Sequence, residues 1–364
     1  MTRSQKITLT IVLDFVLLLL LGGLVCAFTF GWFEQDIETP PIILDTPLPS
    51  PTPDVLVAEI PTPTPGTEET PELPVAPTST PVIDFPGILD AKYRDYFLPE
   101  GTAPIWTETT YQSSDVYIKM DVHEEKHLKY WVADIYVRNV ENLKADYVSR
   151  EKDKMTIPKF HAKLDAMLTI NTDYWINPKS RHGWFVRNGE EIARNPEKAL
   201  SNDFCVIYRD GTMETYDYNA FLASFAEGDI SFDTITARFP YHVFYFGPAL
   251  LDDQGYARTK FNTASQIGGK NPRTAIGYYE PGHYAFICVL GPRNVRNKNF
   301  QVVGSGKSDG LSLIELAALC ESLGMKAAYN LDGGSTTAMM FGDNLYGHHD
   351  RTLPDVLSIV EFGG

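Results

Sequence analysis

The chain has 364 residues, with 31 lysines and arginines against 47 aspartates and glutamates, a formal charge of −16. An acid excess of this size repels a phosphate backbone and argues against a nucleic-acid partner. Of the 4 cysteines, Cys26 lies in an apolar N-terminal run, and the three that remain cannot all pair, so no disulfide framework is expected.

Residues 9–33, LTIVLDFVLLLLLGGLVCAFTFGWF, are almost unbroken apolar sequence. A helix needs roughly 20 such residues to span a bilayer. Arg3 and Lys6 precede the run and Glu34, Asp36 and Glu38 follow it, which keeps the N-terminus cytoplasmic. The run is longer than a signal-peptide core and ends in no small-x-small cleavage pattern. Residues 1–33 are therefore read as a cytoplasmic tip and an uncleaved transmembrane anchor whose partner is the lipid bilayer.

Residues 34–86 carry proline every few positions with threonine between, as in TPLPSPTP and PTPTPG. Such sequence builds no core and favours extended polyproline geometry, so it is expected to be a disordered stalk. Residues 87–364 turn globular, rich in aromatic and alternating apolar residues, and are long enough for one large domain.

Within that domain, 130–140, 166–175, 183–192 and 204–218 read as strands, broken by Asn-Gly and Asp-Gly turns. NAFLASFAEG at 219–228 is a short helix candidate. Strand character returns at 241–251, 273–280 and 284–291. The clearest helix is 312–323: Ser312 and Glu315 form a capping box, Leu311 and Leu316 occupy staple positions, and Gly324 ends it. A strand, KAAYNL, follows at 326–331. The fold class is α+β: a large, mostly antiparallel or mixed β-sheet domain with a few helices.

That helix and the strand after it generate a geometric expectation. A helix of this length runs about 17 Å and a six-residue strand about 20 Å, so the returning strand brings the loop GSGKSDG (304–310) beside LDGGSTT (331–337). Asp309 and Asp332 then share one end of the domain. Gly333 and Gly334 let backbone amides approach an anion, Ser335 and Thr336 add hydroxyls, and Gly310, next to Asp309, joins them as a candidate substrate contact. Asn330 lies two residues before Asp332, on the same strand face. Asn171 and Asp173 in INTDYW form a similar pair. Arg273 offers a bidentate guanidinium for phosphate. Arg351 and Asp355 in RTLPD are expected to bind each other, with Arg351 a lesser candidate for substrate contact. The bland alternative for Asp332-Gly333-Gly334 is a hairpin turn between strands at 326–331 and 336–341. Tyr174, Trp175 and Trp184 are divided evenly between sugar stacking and core packing.

The order of motifs INTDYW, VRNGE, RDGTMETY, FGPALLDDQG, NPRTAIGYYEPGHYAFICVLG, SDGLSLIELAALCESLGMKAAYNLDGGSTT and RTLPDVLSIV resembles the phosphodiester glycosidase family over roughly 130–362. The resemblance implies hydrolysis of a sugar linked through its anomeric oxygen to a phosphodiester, here a cell-surface or secreted glycopolymer. Asp332, in Leu-Asp-Gly-Gly, is then the base or nucleophile, with Asp309 and Asn330 assisting and Arg273 neutralising phosphate. That chemistry requires no cofactor, and the sequence leaves open whether a divalent cation sits among the acids. Two departures stand out: Thr172 where the family commonly has glycine, and Ser335 where a third glycine is frequent.

Two other readings remain. One is a non-catalytic surface module binding anionic glycans through the same loops. The other is a zinc peptidase based on HEEKH (123–127), a motif that works only on a helix. Its flanks alternate like strands, so a hairpin tip with exposed histidines is expected there instead.

Overall fold

The computed structural model describes residues 87–174, 184–194, 202–228, 231–261, 263, 265–291, 295–296, 302–303, 308–347 and 351–361. The expected anchor and stalk, and Trp175, lie outside them. Among the described residues no helix is long and apolar enough to cross a membrane.

Three antiparallel sheets enclose one core. The largest has seven strands in the order β1 (Ile105–Trp106), β2 (Thr110–Gln112), β3 (Val116–Glu125), β4 (Leu128–Val137), β13 (His283–Leu290), β12 (Arg273–Glu280), β16 (Ala327–Asn330). A second runs β10 (Met213–Tyr216), β9 (Phe204–Tyr208), β11 (Pro240–Phe244), β7 (Trp184–Arg187), β8 (Glu190–Arg194). The third runs β18 (Asn344–Gly347), β17 (Ala338–Phe341), β6 (Leu168–Asn171), β19 (Asp355–Ile359), β5 (Leu143–Tyr147). A two-stranded ribbon, β14 (Val295–Arg296) with β15 (Val302–Val303), stands apart.

Strand alternation decides which side chains meet. Ile118, Ala133, Phe286, Ile276 and Tyr329 of the first sheet face Ile207 and Phe244 of the second and Ile170, Met339 and Leu357 of the third. The opposite faces are also covered. Val132, Ala275, Ile287 and Ala328 pack under the helix Leu313–Ser322 through Leu313, Leu316 and Cys320. Val206 and Val243 lie with Phe221, Phe232 and Ile235 of two short helices, and Val356 with Ile157 and Phe160 of the helix Ile157–Lys163. Burial on both faces explains why strands such as HYAFICVL read as continuous apolar runs.

The helix at 313–322 forms as its sequence dictates. Ser312 Oγ accepts from the Glu315 amide at 3.2 Å, Glu315 accepts from the Ser312 amide at 2.7 Å, and Gly324 follows with a φ of 75°. Cys205, Cys288 and Cys320 are all buried and unpaired, where their odd number alone requires only that at least one be free. HEEKH closes the β3–β4 hairpin: Glu125 pairs with Leu128 across a Lys126-His127 turn. His127 is exposed, but His123 stacks on Tyr130 at 4.6 Å instead of standing free at the tip. Two histidines on a strand and a turn lack the helical spacing a zinc site of this type needs. No cluster of three or more metal-ligating side chains occurs among the described residues.

Other expected strands shorten. The segment 241–251 is a strand only to Phe244, and 166–175 only from Leu168 to Asn171. The residues beyond each are drawn off into side-chain contacts that build the site. Removing the cap hydroxyl with Ser312→Ala should lower stability by about 1 kcal/mol in chemical denaturation. An unchanged midpoint would show that the capping box holds nothing.

Candidate active site

The segment from Asp332 to Thr337 is not a hairpin turn. β16 ends at Asn330 on the edge of the first sheet and β17 begins at Ala338 in the third, so the segment crosses between sheets. Both glycines are required by geometry. A Cβ on Gly333 would lie 2.6 Å from the Pro272 carbonyl oxygen, and Gly334 has a φ of +66°, in the left-handed region. Their amides, expected to meet a ligand, are already committed. Gly333 N–H donates to Asp332 Oδ1 at 3.0 Å and Gly334 N–H to the Pro272 carbonyl at 3.0 Å.

Asp332 folds its carboxyl back onto this loop. Its Oδ2 lies 2.8 Å from Thr336 Oγ1, and that hydroxyl is also 2.7 Å from the Gly333 carbonyl. One hydroxyl proton cannot serve both acceptors at once. When Asp332 is protonated it can donate to Thr336, which then donates to Gly333; when it is ionised, Thr336 turns to it. Burial pushes the Asp332 carboxyl up to about 7, against Thr336, the Arg351 charge and the Gly333 amide, which pull it down; the charge on Asp173 adds to the rise. The residue as a whole is only half-buried. Its carboxyl oxygens nevertheless face the loop, where they meet the Gly333 amide and the Thr336 hydroxyl. Arg351 Nη1 stands 3.2 Å from Ser335 Oγ, which places the guanidinium at the mouth of the same loop.

The loop hangs from β6. The Asp332 amide donates to the Thr172 carbonyl at 3.0 Å, and Asn171 Nδ2 donates to the Asp332 carbonyl at 2.7 Å. Asn171 Oδ1 accepts from Thr274 Oγ1 at 2.7 Å and from the Ala338 amide at 3.0 Å, stitching the first sheet to the third. Thr172 Oγ1 donates to Asp355 Oδ2 at 2.6 Å, which gives its side chain a bond that glycine in that place could not make.

Behind these residues lies a fully buried ionic cluster. Arg187 donates through Nη2 to Asp173 at 2.9 Å and Asp355 at 2.6 Å, through Nε to Asp355 at 3.2 Å, and through Nη1 to the Val186 and Val243 carbonyls at 2.9 and 2.5 Å. The Phe185 and Phe244 rings lie 4.0 and 4.6 Å from its guanidinium. Asp173 also accepts from the Tyr245 and Phe246 amides at 3.3 and 2.9 Å. Burial raises Asp173 to about 6; Arg187 opposes the rise and Asp355 reinforces it. The expected Arg351–Asp355 pair therefore does not form: Asp355 is Arg187's partner and Arg351 turns to Ser335. Asp173 and Asn171 are scaffold, with their polar atoms engaged by protein groups.

Three further candidates are placed differently from the sequence expectation. Arg273 is 2% exposed and donates to the Leu311, Ile267 and Gly269 carbonyls at 2.8, 2.6 and 2.5 Å. It clasps two loops beneath the surface, and burial lowers its pKa to about 10. The loops themselves do converge: Asn271 pairs with Leu311, while the next residue, Pro272, takes the Gly334 amide. Asp309, however, keeps an exposed side chain, and its amide donates to the His127 carbonyl at 2.8 Å; Gly310 beside it has a φ of +74°. Asn330 is buried, its Nδ2 bound to the Gly247 carbonyl at 2.8 Å and its Oδ1 without a hydrogen-bond partner. Of the aromatics, Trp184 is core at 1% exposure, whereas Tyr174 is 43% exposed.

The profile of the phosphodiester glycosidase family matches residues 165–360, a span that contains Asp332, Arg351 and the Arg187 cluster. The chain belongs to the phosphodiester glycosidase family. At the level of that family its activity is that of a hydrolase. No curated protein matches the sequence. Among solved structures, this phosphodiester glycosidase is similar to the zebrafish N-acetylglucosamine-1-phosphodiester alpha-N-acetylglucosaminidase catalytic domain, auto-inhibited by its pro-peptide. The two share 13% identity and a TM-score of 0.48, over 68% of this chain and 83% of the other. It is also similar to a hypothetical protein from Synechocystis, at 12% identity and a TM-score of 0.45, over 68% of this chain and 62% of the other.

Two predictions follow from this geometry. Arg187→Met leaves two buried carboxylates without their cation and should cost about 3–5 kcal/mol of stability in denaturant titration near neutral pH; a wild-type midpoint would refute the clamp. The second concerns Asp332. Its folded pKa lies above the ordinary 3.8, so its contribution to stability is full below about pH 4 and is lost as pH rises through about 7. The amide of Asp332→Asn imitates the protonated acid. The variant should be more stable than wild type at about pH 8, by about 1–3 kcal/mol, with the gap closing toward about pH 4. A pH-independent gap would contradict the shift.

Proposed function

We propose that this glycosidase hydrolyses a glycosyl-1-phosphodiester in an extracytoplasmic glycan, with Asp332 as the proton acceptor for the attacking water. The observation that carries the reading is the Asp332 carboxyl folded into a loop that crosses between sheets, with Arg351 at the mouth of that loop; burial there pushes the carboxyl up to about 7. A general base works best when its pKa is near the working pH, because it is then both available and strong enough.

The chemistry divides among few groups. Water attacks the anomeric carbon, its proton passes to Asp332, and the bond from that carbon to the phosphate oxygen breaks. A phosphate monoester is a good leaving group and needs little protonation, so a second acid is not essential. Arg351, whose charge acts on the carboxyl, suits the phosphate; its exposure lets it bind bidentately without leaving a buried partner. Ser335, now occupied by Arg351, supplies a hydroxyl when the arginine turns to substrate. Thr336 reverses its hydrogen bond as Asp332 gains or loses the proton. Arg273 acts indirectly by fixing the 267–269 and 311 backbone. A module that only bound anionic glycans would gain nothing from a carboxylate beside its anion site, which favours the catalytic reading. The apolar run 9–33 and the proline-rich 34–86 support placing the domain outside a membrane, on a spacer.

The test uses the purified protein with sugar-1-phosphodiesters of several sugars. Wild type should release free sugar and phosphate monoester, with kcat/KM rising along a limb near pH 7. Asp332→Asn should lower kcat by at least about 10²-fold, and Arg351→Ala should raise KM more than it lowers kcat. No turnover across the panel, or an Asp332→Asn protein as active as wild type, would overturn the assignment.

A further inference from the structure

A second concave site lies at the other end of β17 from Asp332. It is a cleft of about 600 Å³ lined by Trp106, His161, Asp165, Asp343 and Asn344 together with apolar side chains. It opens between the edge strand β1, the helix Ile157–Lys163 and the β17–β18 turn. None of these elements contributes to the hydrolytic chemistry proposed above.

Trp106 is 48% exposed, yet its ring is held in place from behind. It rests on Tyr111 at 4.5 Å and Phe341 at 5.4 Å between ring centroids. Gly342, with a φ of +51°, lets it close further: a Cβ there would lie 3.2 Å from the indole. An indole fixed on one side and open on the other is an organised flat surface, with little freedom left to lose on binding.

The polar lining is equally specific. It contains two carboxylates, an amide and a threonine hydroxyl, and no lysine or arginine. Its one further titratable group, His161, is 7% exposed, with Nδ1 2.9 Å from Thr169 Oγ1, itself 2.8 Å from Ser358 Oγ. Burial lowers the His161 pKa against the pull of Asp343 and Asp165, so the ring adds no positive charge at neutral pH. This lining repels phosphate and carboxylate ligands, including nucleotides. It disfavours a purely apolar ligand too, which would strip water from Asp165 and Asp343 without replacing its hydrogen bonds. What fits is a flat molecule with one apolar face and many hydroxyl donors at its edge.

We infer that this cleft binds an uncharged sugar ring of a glycan, its apolar face on Trp106 and its hydroxyls on Asp165, Asp343 and Asn344. β17, four residues and about 13 Å long, separates the cleft from the 332–337 loop. Binding itself needs no turnover at Asp332, and the two readings can fail separately.

The experiment titrates the full chain with neutral gluco-, galacto- and N-acetylgluco-oligosaccharides, following Trp fluorescence and calorimetric heat. At least one oligomer should bind saturably, Trp106→Ala should weaken it by about tenfold or more, and Trp106→Phe should keep most of the affinity. Asp343→Asn should also weaken it, and a charged sugar phosphate should not compete at this site. If no neutral oligosaccharide binds a protein that hydrolyses phosphodiesters, the cleft assignment fails alone. If Trp106→Ala, folded by its melting curve, binds as wild type does, it fails as well.

Discussion

The site depends on one guanidinium. Asp173 and Asp355 are both withdrawn from water, and two carboxylates at such separation in a low dielectric repel strongly unless a cation lies between them. Arg187 fills that place and spends its remaining donors on the Val186 and Val243 carbonyls. The cluster therefore ties β7 and β11 of the second sheet to β6 and β19 of the third. Once the end of β6 is fixed, Asn171 and Thr172 present a carbonyl and an amide group at set positions, and the Asp332 loop is suspended from them. The acid that carries the proposed chemistry is positioned by charges it does not touch.

This arrangement also explains why Asp332 resists ionisation. Its carboxyl has one amide and one hydroxyl as donors, and the arginine that could neutralise it bonds to Ser335 instead. Asp173, by contrast, receives a buried guanidinium and two backbone amides. Burial pushes both carboxyls upward, and the fuller set of donors on Asp173 offsets more of that rise than the one amide and one hydroxyl on Asp332 do.

Much of the fold was legible because local rules acted without competition. The helix at 313–322 follows its capping box, and the β3–β4 hairpin follows strand alternation against a tempting metal motif. The convergence of the 309 and 332 loops followed from helix and strand lengths, and both do meet Asn271-Pro272. What the sequence could not supply was pairing across the sheets. Arg273 and Arg351 are equally plausible phosphate ligands by residue type; only the third dimension shows one clasping three carbonyls and the other at the loop mouth. Gly333 and Gly334 signal a close approach correctly, but the approach is to the Pro272 backbone. Arg187, unrecognised beforehand, left a faint trace: an arginine closing the buried strand WFVR, where a cation must find an anion. Thr172, at a position where glycine was expected, has a hydroxyl that reaches Asp355, a bond between residues far apart in the chain.

The central claim is that the scaffold holds Asp332 as an acid that titrates near neutrality. Carboxyl carbon NMR of aspartate-labelled protein, with the resonance assigned by its loss in Asp332→Asn, measures this directly. The account predicts a midpoint near 7 that falls when Arg351 is brought onto the carboxylate by Ser335→Ala. A midpoint close to 3.8, the ordinary value, would contradict it.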